Sequence, residues 1–287
     1  MSDGVETEIR AEEWSGEMGR NWLANLQRFE SMIAPLGAAF ITQAEFRPGE
    51  RVIDVGCGGG GTSIAIGRAV SPGGHVTGLD ISQDLIWACG ARASQGTQSD
   101  VRFVCADAAT VTVTGGPFDR LFSRFGSMFF ADAKAGFRNL RRMVRDGGRI
   151  DLAVWAGPQD NPWMQVMMGA LQPYVAPPET PADPRAPGPF VFADTDYLKE
   201  VLHDAGFRDV HVDACMRDMP IGGAGAGPEE AADFVLSAMH LGGQIPEDQR
   251  AAAHEALTAA FAPHHVAGKG VLLPGQALFV RATAAAS

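Results

Sequence analysis

The chain has 287 residues, of which 46% are hydrophobic and 20% charged, and its net charge is −11. This length suits one large α/β domain with insertions or two small domains, and so acidic a chain is untypical of nucleic-acid binders. The sequence contains no run of about 18 apolar residues, so no membrane span is expected. The acidic, polar N-terminus does not resemble a secretory signal. Four cysteines without a C-x-x-C pair favour reduced thiols in a cytoplasmic protein, with no metal site.

Residues 12–46 contain two helical patterns in which tryptophans and other apolar residues recur at helical spacing. The pair Pro48-Gly49 then interrupts the chain. We expect residues 1–46 to form an N-terminal helical lid, with Trp22 at the substrate pocket. The alternative interpretation is that this aromatic stripe packs in the core.

Strands and helices alternate through the following hundred residues. Such alternation predicts a parallel sheet with helices on both faces, a Rossmann-like α/β fold in which ligands bind at the carboxyl ends of the strands. The predicted strands are 51–55, 75–80, 101–107, 118–123 and 149–156, and the predicted helices are 62–70, 82–94 and 132–145.

The second half of the chain alternates between insertions and core elements. Nine prolines lie between residues 157 and 192, which predicts a draped loop around one helix at 161–171. Further predicted elements are helices 194–207, 228–241 and 248–264 and strands 208–214 and 275–283. The expected organisation is a core at 47–157, a proline-rich insertion at 158–193, continued core at 194–214, a helical cap at 215–274 and the last strand and tail at 275–287.

A glycine-rich turn follows the first predicted strand in the run VIDVGCGGGG, residues 52–61. Gly56-x-Gly58-x-x-Gly61 fits the dinucleotide fingerprint, and Asp80 ends the next strand, where a carboxylate can hold a ribose. The glycine pattern therefore predicts a nucleoside cofactor but does not distinguish a dinucleotide from other nucleoside cofactors.

Asp54 distinguishes between the cofactors, because a carboxylate beside the turn opposes a doubly negative pyrophosphate. S-adenosylmethionine (SAM) instead carries an ammonium group and a sulfonium centre, which an acid favours. Asp80 can accept from the ribose hydroxyls, and Asp107, after the third strand, can accept from the adenine amino group. The alternative is that these acids are only helix caps. Three acids at successive strand ends favour SAM, with S-adenosylhomocysteine (SAH) as the product.

The runs VIDVGCGGGGTSIAIGRAV, VTGLDIS and FVCADAAT resemble the successive motifs of class I SAM-dependent methyltransferases. The resemblance extends from about Trp14 to Arg281. Over this range the chain is similar to a bacterial subgroup of small-molecule methyltransferases related to the ubiquinone-type enzymes. It implies a seven-stranded sheet that is parallel except for an antiparallel last strand. It also implies the cofactor contacts, which are the methionine portion on Gly56, Cys57 and Gly58, the ribose on Asp80, the adenine at Ile81, Asp107 and Ala108, and the methyl group near Ser123.

The acceptor pocket is predicted from aromatic and methionine residues that follow the fourth and fifth strands. Phe125, Met128, Asn161 and Trp163 are its candidate lining residues, which indicates a small, fairly apolar acceptor methylated at O, N or C. His240, in the predicted cap helix, is the one candidate for a general base, against the alternative of a histidine favoured near a helix C-terminus.

Two other functions compete with methyl transfer. A nicotinamide oxidoreductase fits the literal glycine spacing, but the sequence lacks a Tyr-x-x-x-Lys or comparable pair. A SAM-binding protein that does not methylate, acting as a sensor, scaffold or other catalyst, fits the lack of a clear base. The expected partners are a small-molecule substrate and no nucleic acid or membrane, and a homodimer is left open.

Overall fold

A computed structural model describes residues 11–94, 100–176 and 183–286 of the chain. Its first three helices are α1 (Ala11–Trp14), α2 (Glu17–Ala24) and α3 (Leu26–Ala44), where the sequence predicts two. The apolar face of α3 packs on the sheet, and the rings of Phe40 and Phe122 lie 4.5 Å apart. This packing fixes α3 above the strands that follow it. Residues 1–10 of the predicted lid lie outside the described residues.

The expected alternation of strands and helices follows α3 closely. The elements are β1 (Arg51–Val55), α4 (Gly61–Val70), β2 (His75–Asp80), α5 (Gln83–Ala93), β3 (Asp100–Cys105), β4 (Phe118–Arg124), α6 (Ala133–Met143) and β5 (Val144–Trp155). Ser82 and Asp132 are the N-caps of α5 and α6, and each side chain accepts a hydrogen bond from the backbone of the first turn.

The second half of the chain completes the sheet and covers one end of it. The elements are α7 (Pro162–Leu171), α8 (Thr195–Asp204), β6 (Phe207–Ile221), α9 (Pro228–Ala238), α10 (Arg250–Phe261), β7 (His265–Val266) and β8 (Gly270–Ala284). Residues 177–182 of the predicted proline-rich insertion lie outside the described residues.

The strands form one sheet in the order β3-β2-β1-β4-β5-β8-β6, with the two-residue β7 paired to β8. Neighbouring strands are parallel from β3 to β5, whereas β8 is antiparallel to both β5 and β6. The Rossmann-like prediction with an antiparallel last strand is therefore confirmed. Within the described ranges, no helix is long and apolar enough to cross a bilayer.

The antiparallel pair of β6 and β8 is longer than the sequence predicts. It runs from Phe207 opposite Ala284 to Ile221 opposite Val271. The predicted cap at 215–274 is consequently shortened at both ends, because residues 215–221 and 270–274 have joined the sheet. Residues 222–269 between the two strands hold α9 and α10.

Candidate functional site

A cavity of about 400 Å³ opens at the carboxyl ends of the central strands. Residues from the N-terminal helices, the glycine turn, the ends of β2 to β5, and helices α7 and α9 line it. The cavity lies at the topological switch point of the sheet. Strands β2 and β3 are added on one side of β1, and β4 and β5 are added on the other. The cavity is therefore the candidate active site.

The glycine turn shapes the floor of this cavity. Gly56 has a left-handed backbone with φ 69°, and a Cβ on it would lie 2.6 Å from the Cα of Gly126. Gly126 follows β4, so the turns after β1 and β4 touch through two residues that must lack side chains. Gly58 also has a left-handed backbone, and Trp22 lies near it across the cavity.

Asp80 lies at the end of β2 and is held by the backbone. Its Oδ2 accepts from the Gly58 amide at 2.8 Å, and its Oδ1 accepts from the Ser82 amide at 2.9 Å. The carboxyl is 9% exposed and lines the cavity. Burial raises the pKa of Asp80, while these backbone hydrogen bonds act in the opposite direction. A carboxylate oriented by two amides keeps lone pairs for the hydroxyls of a ligand.

The first three amide groups of the glycine turn are already engaged. The amides of Gly56 and Cys57 donate to the Leu79 carbonyl, and the Gly58 amide donates to Asp80. A pyrophosphate site would need such amides free and facing the ligand.

The N-terminus of α4 is also occupied by a carboxylate. The Glu30 carboxylate packs directly against Gly59 and Gly61. If these glycines carried Cβ atoms, the Glu30 Oε1 would lie only 2.9 Å and 3.2 Å from them. Glu30 is fixed there by two hydrogen bonds from Arg92, at 2.7 and 2.9 Å. Because acids surround the turn, it suits a ligand with positive charge and a ribose, such as SAM, and does not suit a dinucleotide.

Four other predicted cofactor residues also line the cavity. These are Cys57, Ile81, Asp107 and Ala108. Asp107 is fixed by the amide of Ala109, which donates to its Oδ1 at 2.8 Å. A hydrogen bond with Cys89 and burial raise the pKa of Cys57 well above its usual range, so this thiol stays protonated.

Asp54 and Ser123 are placed differently from the expectation. Neither lines the cavity, because both side chains point into the packed core. Oδ2 of Asp54 accepts from the Ser63 hydroxyl at 2.6 Å, and the Ser123 hydroxyl donates to the Val55 carbonyl at 2.8 Å. The structure therefore places neither Asp54 nor Ser123 at the cavity wall, and their contact with the cofactor stays a prediction from the sequence. Burial raises the pKa of Asp54 to about 6, so the ionised carboxylate is less favourable here than in water.

Replacing Asp54 by asparagine is expected to change how stability depends on pH. A carboxyl with a folded pKa of about 6 and an unfolded pKa of 3.8 binds more protons when folded, so wild-type stability falls as pH rises between these values. The neutral variant lacks this loss. We compare the free energy of unfolding of the variant with that of wild type at each pH. The difference, variant minus wild type, should be about 2 kcal/mol larger at about pH 7.5 than at about pH 4.5. Urea unfolding at both pH values measures the difference.

The matched control is Asp100→Asn, which removes an exposed carboxylate at the start of β3. Its stability relative to wild type should stay the same at both pH values, within about 0.5 kcal/mol. The same flat result for Asp54→Asn would contradict the raised pKa.

The half of the cavity over β4 and β5 is apolar and aromatic. Phe125 stacks on Trp155 with ring centroids 4.4 Å apart, and Trp155 lies 5.6 Å from Trp163. Phe125 has φ 62°, a left-handed conformation that is uncommon for a bulky residue and is typical of functional sites. The predicted lining residues Trp22, Phe125, Met128 and Trp163 are all at the cavity wall.

Asn161 does not line the cavity, contrary to expectation. It is 0% exposed, its Nδ2 donates to the carbonyls of Ala156 and Gly157, and its Oδ1 accepts from Trp163 Nε1 and the Gln276 amide. Four hydrogen bonds leave no capacity for a substrate, so Asn161 joins the end of β5 to α7 and β8. It is a structural residue that positions the Trp163 wall.

His240 follows the end of α9, which stops at Ala238 and not at the predicted residue 241. Its backbone begins a short 3-10 segment, His240–Gln244. Its side chain lies outside the described residues, so the general-base role stays a prediction. The described lining residues contain no His, Lys or Tyr.

Two groups of lining residues are absent from the sequence prediction. The apolar group comes from α3, α9 and the segment before α8, and includes Phe29, Ile33, Phe190 and Met239. Their helical or loop context carries no sign of a pocket, since only tertiary packing brings them together. Arg124 and Glu30 are the charged omissions. Arg124 had a visible signal, because it is a charged residue at the carboxyl end of the predicted strand β4, where ligands bind.

Comparisons with known proteins agree with this geometry. Residues 52–148 match the family model described as a methyltransferase domain. The chain is 29% identical over 196 residues to nocamycin O-methyltransferase of Saccharothrix syringae, which covers 64% of this chain and 69% of that protein.

Two solved structures share the fold. One is phosphoethanolamine N-methyltransferase 2 of Haemonchus contortus in complex with SAM, with a TM-score of 0.58 and 14% identity over 96% of this chain and 60% of that one. The other is the [4+2]-cyclase SpnF, with a TM-score of 0.58 and 15% identity over 99% of this chain and all of that one (100%). These two likenesses confirm the fold, while the family model and the O-methyltransferase relative support the predicted methyltransferase class. Residues 52–148 therefore form a methyltransferase domain, and the comparisons support the prediction that the chain is a class I SAM-dependent methyltransferase.

Proposed function

We propose that this SAM-dependent methyltransferase methylates a small, fairly apolar metabolite in the half of the cavity over β4 and β5. Bound SAM supplies a methyl group already activated by its sulfonium, so positioning and exclusion of water provide much of the catalysis. The observation that carries the proposal is the wall of Phe125, Trp155 and Trp163 beside the ribose-binding end at Asp80.

The cofactor is proposed to lie along the sheet edge in a defined direction. Asp80 holds the ribose, while Ile81, Asp107 and Ala108 contact the adenine, all at the ends of β2 and β3. The backbone of Gly56, Cys57 and Gly58 holds the methionine portion at the end of β1. This direction points the methyl group toward β4 and β5. Trp14 and Trp22 line the same cavity from the N-terminal helices, which supports their proposed role as a lid.

The acceptor atom is proposed to be oxygen. The relative from Saccharothrix syringae is an O-methyltransferase by name. Because the described wall offers no His, Lys or Tyr as a base, the proposed oxygen is one that is already ionised when the acceptor binds. Nitrogen and carbon are the other acceptor atoms that the pocket admits. A cytoplasmic location and a homodimer stay predictions from the sequence.

Calorimetric titration with SAM, SAH and NAD tests the cofactor assignment. SAM and SAH should bind, and NAD should not, because acids surround the glycine turn. Binding of NAD alone would overturn the proposal. A second experiment incubates the protein with SAM carrying a labelled methyl group and a metabolite extract. Label should appear in extractable, fairly apolar products. Tight SAM binding without label transfer would instead favour a SAM-binding protein that does not methylate.

A further inference from the structure

Arg124 is the one ionisable residue that β4, β5 and the segments after them contribute to the described cavity wall. The other ionisable lining residues, Glu30, Cys57, Asp80 and Asp107, come from α3, the glycine turn and the ends of β2 and β3. Since strands lie about 4.8 Å apart, β4 is about 10 Å from β2 across β1. Arg124 therefore belongs to the acceptor half of the cavity, beside its apolar walls.

The side chain of Arg124 is half-buried and lacks a polar partner among the described residues. It packs on α3, where a Cβ on Gly37 would lie only 2.7 Å from its Nη1. Its Nε is buried without a hydrogen-bond partner, and no ion pair or hydrogen bond of Arg124 is found in the described part of the chain. The guanidinium thus has unused donor capacity at the cavity wall.

Two carboxylates act on Arg124 from a distance, and both are already engaged. Asp54 accepts from Ser63, and Glu30 forms the ion pair with Arg92. Their charges favour the guanidinium, but burial is the larger influence and lowers the pKa of Arg124. An arginine stays protonated even so, which leaves an underpaired positive charge beside an apolar pocket.

A charge of this kind is costly to the folded chain. Burying a charged group without a hydrogen-bonded counterion opposes folding. An anionic ligand would remove that cost when it binds. Arginine is also the side chain best suited to bidentate contact with a carboxylate.

We propose that Arg124 binds the acidic group of the methyl acceptor, which is an apolar molecule carrying a carboxylate or an ionised enol or phenol. The inference rests on the proposed function and narrows its substrate class. An acceptor that arrives as an anion has already lost its proton, which agrees with the absence of His, Lys and Tyr from the described cavity wall.

The test uses 2-naphthoate and its neutral, nearly isosteric partner 2-naphthamide as probes. Both are titrated by fluorescence at neutral pH into wild type, Arg124→Met and Arg124→Lys, each saturated with SAH. Wild type should bind naphthoate about 10-fold more tightly than naphthamide. Arg124→Met should bind the two probes within about twofold of each other. Arg124→Lys should keep a preference of a few-fold, because it keeps the charge without the bidentate geometry.

The affinity of each protein for SAH is measured first, and separates the two proposals. Failure of wild type to bind SAH would refute the proposed function itself. Normal SAH binding with equal affinity for the two probes in wild type would overturn the role of Arg124 alone, even if the variants did not fold. A loss of about 10-fold or more in SAH affinity in a folded Arg124→Met protein would assign Arg124 to the methionine carboxylate of the cofactor and overturn its role toward the acceptor.

Discussion

Replacing Asp80 by alanine is expected to weaken the binding of SAM and SAH about 100-fold or more. A hydrogen bond to a charged group contributes about 1.5–3 kcal/mol, and a ribose offers two hydroxyls to this carboxylate, so a loss of about 3 kcal/mol is a conservative expectation. The Gly58 and Ser82 amides also lose their acceptor, which loosens the turn that holds the methionine portion. Isothermal calorimetry measures both affinities.

The Asp80→Ala protein itself is expected to stay folded without ligand. Burial raises the pKa of Asp80, so the ionised carboxylate is unfavourable in the free protein, and its removal offsets part of the lost hydrogen bonding. Asp100→Ala is the matched control, since it removes an exposed carboxylate from the start of β3. The control should bind SAM normally. Unchanged affinity in a folded Asp80→Ala variant would refute the assignment of the ribose to this residue.

Replacing Asn161 by alanine is expected to lower the free energy of unfolding by about 3–5 kcal/mol. The substitution leaves the two carbonyls, the Trp163 indole and the Gln276 amide without their partner, and each buried unsatisfied group costs about 1–3 kcal/mol before the structure relaxes. A loss of this size is a large fraction of the stability of an ordinary domain. Chemical denaturation gives the value directly.

Gln165→Ala is the matched control for Asn161→Ala. It lies in the same helix, α7, and removes an exposed amide that makes one hydrogen bond to the Gln159 carbonyl. Its cost should stay below about 0.5 kcal/mol. If Asn161→Ala also cost less than about 1 kcal/mol, the side chain would not be the structural junction described above.

The first half of the fold was predictable because its signals are local. The strand RVIDV, the glycines and the acid at the end of β2 lie within 30 residues of each other (51–80), and each local preference agrees with the sheet that forms. The bounds of β1 and β2 match the predicted ranges 51–55 and 75–80. The adenosine end of the candidate site was predictable for the same reason, since Asp80 and Asp107 follow strands whose order the alternation of elements implies.

The acceptor end could not be predicted in the same way. Asn161 follows β5, where the sequence predicts a pocket residue. Its hydrogen-bond partners nevertheless include the amide of Gln276, which lies 115 residues further along the chain. The long pairing of β6 with β8 also includes Pro220 and Pro274, which favour loops when the sequence is considered locally. Such contacts exist only after the cap has folded back and brought distant segments to one sheet edge.

The amino-acid order by itself determined the sheet, the nucleoside turn and the class of cofactor, because hydrophobic period, glycine conformation and charge all act over short stretches of chain. Tertiary structure decided which side chains reach the cavity. It buried Asp54 and Ser123 behind the turn, committed Asn161 to four internal hydrogen bonds, and left the guanidinium of Arg124 beside the apolar wall. Side-chain burial and hydrogen-bond capacity depend on every element packed around a residue, and no local pattern contains that information.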